Sequence, residues 1–248
     1  MCTASGAIVT FNDGQKAVNA CKSLIENTKR IPFSLYVFDN ASADGTAKQI
    51  SEISEVTVFE NKENIGFGAA HNLALEQQIG KYHFVINPDI TVDSDVISDM
   101  VDFMEKNPDI VMAMPQILFP DGSIQYLPKE VPTFKRLFLG RLFKKTRSEY
   151  VWQNRELTGV TDIDFCSGCF FCIRGEAFKK LGGFDKRYFM YLEDADLTLR
   201  AKKFGRTVIN PEITVVHKWE RSSAKSIKYL FIHTLSAFKF LLRKGKIL

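Results

Sequence analysis

The sequence predicts an α/β fold with a mostly parallel, doubly wound sheet, and three observations carry that expectation. Short β-branched and aromatic runs alternate with segments whose apolar residues recur at helical spacing. The strand-like runs end in polar or glycine-containing breaks, Asn12-Asp13-Gly14, Asp39-Asn40-Ala41-Ser42 and Asn87-Pro88-Asp89. The stretch Lys81 to Asp93, KYHFVINPDITVD, reads as a buried central strand that proline must stop or bend. Right-handed crossovers would put the strand ends at Asn12, Asp39 and Asp89 on one rim, where open α/β sheets keep their ligand crevices.

In chain order, Ala7 to Phe11 is a first strand. A helix over Gln15 to Asn27 follows, with Ala17, Val18, Cys21, Leu24 and Ile25 on one face. Ser34 to Phe38 is the second strand, and Asp44-Gly45-Thr46 opens a helix to about Ile53. Val56 to Glu60 is the third strand; Gly66 and Gly68 mark a tight loop, and Ala69 to Gln78 a helix. After the central strand come a helix from Asp93 to Lys106 and a strand from Ile110 to Ala113. Lys129 to Glu156 is basic, aromatic and weakly patterned, with Lys135, Arg136, Arg141, Lys144, Lys145 and Arg147. Asp162 to Ile173 reads as strand, and Arg174-Gly175-Glu176 starts a helix ending at Gly182-Gly183. Thr207 to Ile209 and Thr214 to His217 read as a strand pair.

At 248 residues, 45% hydrophobic and 25% charged, the chain suits a soluble globular protein. MCTASGAIVTFN lacks the basic-then-apolar order of a signal peptide, and no apolar run reaches the roughly 18 residues of a membrane span. Five cysteines, Cys2, Cys21, Cys166, Cys169 and Cys172, form an odd set that fits reduced thiols in a cytoplasm. The Cys166–Cys172 cluster has no second pair or nearby histidine, so buried thiols are expected there rather than zinc.

Two places carry candidate chemistry. Asp89, at the end of the central strand, is suited to holding a hard cation against a diphosphate. Glu193, Asp194 and Asp196 crowd the start of the helix LTLRAKKFG; the dipole favours carboxylates there, but three exceed what capping needs. A carboxylate so placed can act as general base toward a hydroxyl. His217 ends the last strand.

VTFN at Val9 to Asn12, VFDNASADGT at Val37 to Thr46, NIGFGAAHN at Asn64 to Asn72, NPD at Asn87 to Asp89, GGFDKRYFMYLEDADLTLR at Gly182 to Arg200, and His217 occur in the order seen in family 2 glycosyltransferases. The resemblance covers about residues 5 to 220 and looks most like the bacterial rhamnosyltransferase branch. It implies a GT-A fold over 1–220, with a nucleotide-sugar half (1–115) and an acceptor and catalytic half (116–220), then a basic amphipathic helix over 221–248. By position, Asp39 would read a pyrimidine N3–H and Thr10 to Asn12 would line base and ribose. Asn64 and Asn72 would frame the donor, with Gly66 and Asn87 in the same set. Asp89 and His217 would hold Mg²⁺ or Mn²⁺, and Asp194 would be the general base supported by Glu193 and Asp196. The family's aspartate-any-aspartate motif begins here with Asn87, so one charged ligand is missing.

The implied activity is inverting transfer, most simply of L-rhamnose from dTDP-rhamnose, to a saccharide or lipid-linked saccharide in bacterial surface-polysaccharide synthesis. The alternatives are a UDP-hexose donor or an inactive sugar-nucleotide-binding scaffold. In the tail, Ile227, Leu230, Phe231, Thr234, Leu235, Phe238, Leu241 and Leu242 share one helical stripe. Lys225, Lys228, Lys239, Arg243, Lys244 and Lys246 fall on the other face. Residues 225–247 therefore fit either a membrane surface, making the protein peripheral on the inner face of the plasma membrane, or a helix docked on the core or a second subunit. Nucleic acid is not expected, because the aromatics are interleaved with aliphatics rather than displayed on a recognisable module.

Overall fold

The structure, a computed structural model, describes residues 3–127, 129–138, 148–219 and 227–247. Cys2, Arg141, Leu142, Phe143, Lys144, Lys145, Arg147 and Lys225 lie outside the described residues, as do the side chains of Lys244 and Lys246.

The first half alternates strand and helix as expected. β1 (Ala4–Thr10), α1 (Gln15–Asn27), β2 (Phe33–Asp39), α2 (Thr46–Ser51), β3 (Val56–Glu60), α3 (Phe67–His71) and β4 (Tyr82–Ile86) follow one another. β1 pairs in parallel with both β2 and β4, and β2 with β3. The register sets Thr10 opposite Asp39 and Ile8 opposite Ile86, so β1, β2 and β4 end on one rim. Every residue of β1 and β4 is buried, and the polar Ser5 and His83 within them meet at 2.9 Å. Under them α1 packs Ala17, Val18, Cys21 and Leu24.

The second half departs from a simple parallel reading. It holds β5 (Ile90–Thr91), α4 (Val96–Lys106), β6 (Ile110–Leu118), α5 (Phe134–Phe138), β7 (Thr161–Asp162), β8 (Phe170–Arg174), α6 (Gly175–Leu181), α7 (Glu193–Ala201), β9 (Arg206–His217) and α8 (Ile227–Ile247). The sheet runs β3-β2-β1-β4-β8-β6-β9-β5, with β7 on β9. β8 lies antiparallel between β4 and β6, and β5 and β7 are antiparallel to β9, so the sheet is mixed. A strand buried on both faces has the same composition in either direction. Arg174 locks this junction: its guanidinium donates to the carbonyls of Met104, Asn107 and Ile110 and to the Tyr82 hydroxyl. The carbonyls left open at the end of α4 are thereby partnered.

Three element boundaries are corrected. Asp162 to Ile173 is not one strand; a loop from Ile163 to Cys169 separates β7 from β8. Thr207–Ile209 and Thr214–His217 are not a pair but two parts of β9, both against β6, kinked where Asn210 Oδ1 accepts the Glu212 N–H. The helix expected over Ala69–Gln78 is α3 followed by a 3₁₀ turn at Asn72–Glu76.

α8 is docked on the core, with part of its apolar stripe turned outward. Its Ala237 and Phe240 are fully buried against Tyr188, Leu192, Ala195 and Leu199. Its cations also reach inward: Lys239 donates to the Arg187 carbonyl, and Arg243 pairs with Asp185 and Asp196. The outward side instead displays Ile227, Phe231, Leu235, Phe238 and Leu242. Among the described residues no helix is long and apolar enough to cross a membrane.

Candidate active site

The rim formed by β1 and β2 is closed by hydrogen bonds. Thr10 Oγ1 donates to Asp39 Oδ1 (2.7 Å), as does Ser42 Oγ (2.5 Å), while the Ser42 N–H donates to Asp39 Oδ2 (2.8 Å). Asp39 is 1% exposed, and its Oδ2 keeps a lone pair beyond that one bond. Asn12 ties the two turns together rather than facing inward: its N–H donates to Ser42 Oγ and its Oδ1 accepts from the Ala43 N–H. Asn40 Nδ2 donates to the Gly66 carbonyl, and Asn64 Oδ1 accepts the Gly66 N–H. Gly66, at φ 89°, has no room for a Cβ, which would meet the Phe189 carbonyl oxygen at 2.3 Å. Its role is to let this loop press against the segment before α7.

The next corner follows from strand register. β5 pairs Ile90 with His217, so Asp89, one residue earlier, lies beside the histidine at the end of β9. His217 Nε2 is 3.1 Å from Asp89 Oδ1. Burial pushes the Asp89 carboxyl up, but His217 and, less strongly, Lys16 outweigh it and hold the pKa below the usual range. On the other edge of the ring, His217 Nδ1 is 2.6 Å from Gln125 Oε1, while Gln125 Nε2 donates to the His217 carbonyl at 3.4 Å.

This corner fits a divalent cation. The donor set is one carboxylate and one imidazole, both ligand types for divalent cations, with Asp89 Oδ1 and His217 Nε2 3.1 Å apart. Among the described residues no group of three or more His, Cys, Asp or Glu side chains is arranged to hold a metal alone. Diphosphate oxygens and water would have to complete the shell. The cysteines are no candidates: Cys21, Cys166, Cys169 and Cys172 are buried, and burial pushes all four thiols up.

The third corner is the start of α7. Asp194 Oδ2 accepts the Gly168 N–H (2.8 Å) and Oδ1 the Ala195 N–H (2.9 Å). Burial pushes its pKa up to about 6 against those bonds. Glu193 is also pushed up, by burial first and by the Asp194 charge second, and its Oε2 has no hydrogen-bond partner. Asp196 is a different case. It is fully buried, accepts from Arg200 Nε (2.6 Å), and lies 3.2 Å from Arg243, on the side where α8 docks. Its position on the helix turns it away from the other two.

One cleft of about 700 Å³ joins these corners. Thr10, Asn64, Asn87, Asp89, Glu193, Asp194 and His217 all line it. Asp39 stands behind Thr10, and Asn12, Gly66, Asn72 and Asp196 are off its wall. Asn72 is a buried clamp: its Nδ2 donates to the Phe184 carbonyl and its Oδ1 accepts the Phe184 N–H. The cleft also takes in Lys16, Tyr150 and Gly168, and Gln125 supports His217 from behind. Tyr150, Gly168 and Gln125 sit in or beside segments without a clear pattern, and Lys16 is one polar position in the first turn of α1, so nothing in the sequence marked them. Non-glycine residues with positive φ gather at the framing turns, namely Asn12, Ala41, Tyr191, Leu192 and Trp219. That conformation is costly for bulky side chains and concentrates at functional sites.

Comparison with known proteins shows the family and the fold. A family described as Glycosyl transferase family 2 matches residues 5–182. The chain is 28% identical to the N-acetylglucosaminyl-diphospho-decaprenol L-rhamnosyltransferase of Mycobacterium tuberculosis (strain CDC 1551 / Oshkosh), over 94% of this chain and 82% of that protein. It is 27% identical to rhamnosyltransferase WbbL of Escherichia coli (strain K12), over 72% of this chain and 71% of that one. GalNAc-T7, solved with UDP, GalNAc and Mn²⁺, superposes with a TM-score of 0.66 at 18% identity, covering 87% of this chain and 43% of that chain. The mannosyltransferase PcManGT from Pyrobaculum calidifontis, solved with GDP-Man and Mn²⁺, gives 0.66 at 16% identity, covering 97% and 64%. The fold is GT-A. With the matched span exceeding half of its length, the chain belongs to glycosyltransferase family 2.

Proposed function

We propose that the chain transfers L-rhamnose from dTDP-L-rhamnose, with inversion, to a hydroxyl of a saccharide or lipid-linked saccharide in bacterial surface-polysaccharide synthesis. The observation that carries this reading is one cleft bounded by two corners: Asp89 with His217, and Asp194 with Glu193. Both relatives are named rhamnosyltransferases, and one name specifies an N-acetylglucosaminyl-diphospho-decaprenol substrate.

In this reading Thr10 and Asn64 line the nucleotide end, and Asp39 fixes Thr10 from behind. Asp89 and His217 would hold Mg²⁺ or Mn²⁺, which would supply positive charge against the departing diphosphate. Asp194 accepts the proton of the acceptor hydroxyl as its oxygen bonds to the anomeric carbon. The bond to the diphosphate breaks on the opposite face, and configuration inverts. A carboxylate with a pKa near 6 is a stronger base than a solvated one yet remains mostly ionised at neutral pH.

The outward apolar stripe of α8 supports a further element, contact with a bilayer surface. The same helix contributes Lys228, Tyr229 and His233 to the cleft, so a bilayer against Phe231 and Leu242 would bring a lipid-linked acceptor to the cleft mouth. Cosedimentation with phosphatidylglycerol vesicles tests it: Phe231→Glu with Leu242→Glu should abolish binding, and unchanged binding would remove this element.

The activity itself is tested by incubating the protein and Mn²⁺ or Mg²⁺ with dTDP-rhamnose or UDP-hexoses and a polyprenyl-diphospho-sugar, with products read by mass spectrometry and anomeric configuration by NMR. Metal-dependent transfer of rhamnose with inversion is expected. Transfer of a hexose from UDP would replace the donor assignment, and no transfer from a folded sample that binds the donor would favour a scaffold.

A further inference from the structure

The residue that the reading above does not use, and that the geometry singles out, is Gln125. A tight turn at Phe119–Ser123 folds the chain back on the end of β6, and the Gln125 N–H is held by the Ile117 carbonyl at 2.9 Å. The side chain is 1% exposed and spends both ends of its amide on one residue, His217. A carbonyl oxygen only accepts, so the end of the amide facing the His217 carbonyl must be the NH₂. That leaves Oε1, also only an acceptor, 2.6 Å from Nδ1. A neutral ring therefore carries its proton on Nδ1. That leaves the lone pair on Nε2, the edge that stands 3.1 Å from Asp89 Oδ1, where a cation can displace the proton that otherwise bonds the two.

We propose that Gln125 is a positioning residue that keeps the proton on His217 Nδ1, so that Nε2 presents its lone pair to a divalent cation beside Asp89. The inference rests on the reading of Asp89 and His217 as cation ligands. It adds what makes a histidine next to a carboxylate serve as a ligand: left alone, it would donate from Nε2 to Asp89 and occupy the position itself. Partners on the second ring nitrogen commonly change metal affinity by about 10–100-fold.

Gln125→Met removes the acceptor at similar length, and Gln125→Glu keeps it. Two readouts apply to the wild-type protein and both variants. Long-range ¹H–¹⁵N correlation without metal, assigned by signals lost in His217→Gln, reports which ring nitrogen carries the proton. Titration with Mn²⁺ alone, followed by the paramagnetic resonance of the free ion, reports affinity. We expect a protonated Nδ1 in the wild type and in Gln125→Glu, and loss of that proton in Gln125→Met. Mn²⁺ affinity should fall about tenfold or more in Gln125→Met and stay within a few fold in Gln125→Glu. An unprotonated Nδ1 in the wild type, or equal affinity in wild type and Gln125→Met, would overturn the inference. A wild-type protein with protonated Nδ1 that binds no Mn²⁺ would overturn the cation reading of Asp89 and His217 instead.

Discussion

The cleft has two carboxylate corners made from the same kind of side chain, and they are tuned in opposite directions. Asp89 sits against His217, which outweighs the cost of its burial and holds its pKa below the usual range. Asp194 has only backbone N–H partners, and burial pushes its carboxyl up to about 6 against those bonds. The difference teaches that position and neighbours, rather than residue type, set the two carboxylates apart: in the proposed reading one corner stays charged and the other takes a proton.

The largest effect should come from breaking the proton-accepting corner. Asp194→Asn is expected to lower kcat on the order of a hundredfold or more while leaving donor affinity nearly intact, measured by steady-state kinetics and donor titration. Asp89→Asn should cost a similar factor, on the order of a hundredfold, but with loss of metal-dependent donor binding. The pH profile sharpens the contrast. Because Asp194 must be ionised to accept a proton, turnover should fall as pH drops through about 6, by up to about tenfold per unit below it. A profile flat down to pH 5 would remove Asp194 as the base.

Stability gives smaller tests. Removing Asp196 leaves Arg200 largely buried without its carboxylate, so Asp196→Ala should destabilise by about 3 kcal/mol in a denaturant melt while kcat changes little. Glu193 has its folded-state pKa raised above its unfolded value. The native state therefore holds a proton the unfolded chain has lost, and stability falls as pH rises from about 4.5 through the folded pKa. Glu193→Gln should raise the melting temperature, and by more at pH 8 than at pH 5.

How much of this was legible in the sequence differs between the same two regions. The β1, β2 and β4 ends could be read because alternating strands and helices force one rim, and the register there puts Thr10 beside Asp39. Asp89 and His217 lie far apart in the chain, and their meeting depends on the antiparallel pairing of β5 with β9, whose direction carries no compositional signal. The three carboxylates of α7 were visible as a cluster, but not their separation. The spacing of Asp196 and Arg200, four residues apart on a helix, was the available clue that this one forms an ion pair. Asn72 reads like a ligand-facing amide and is instead buried on the Phe184 backbone, because a polar side chain in a helix shows no sign of what it faces. For α8 the periodic stripe was plain, yet which face turns outward depended on acceptors at Arg187, Asp185 and Asp196 that sequence does not bring together.

The division between a donor-holding corner and a proton-accepting corner is tested most directly by thermal melting with dTDP-rhamnose and Mn²⁺ in the wild type, Asp89→Ala and Asp194→Asn. At a ligand concentration 100 times Kd, binding should stabilise the folded state by about 2.7 kcal/mol, a shift of several degrees. The wild type and Asp194→Asn should shift alike, and Asp89→Ala should not shift. A full shift in Asp89→Ala, or its loss in Asp194→Asn, would contradict the assignment.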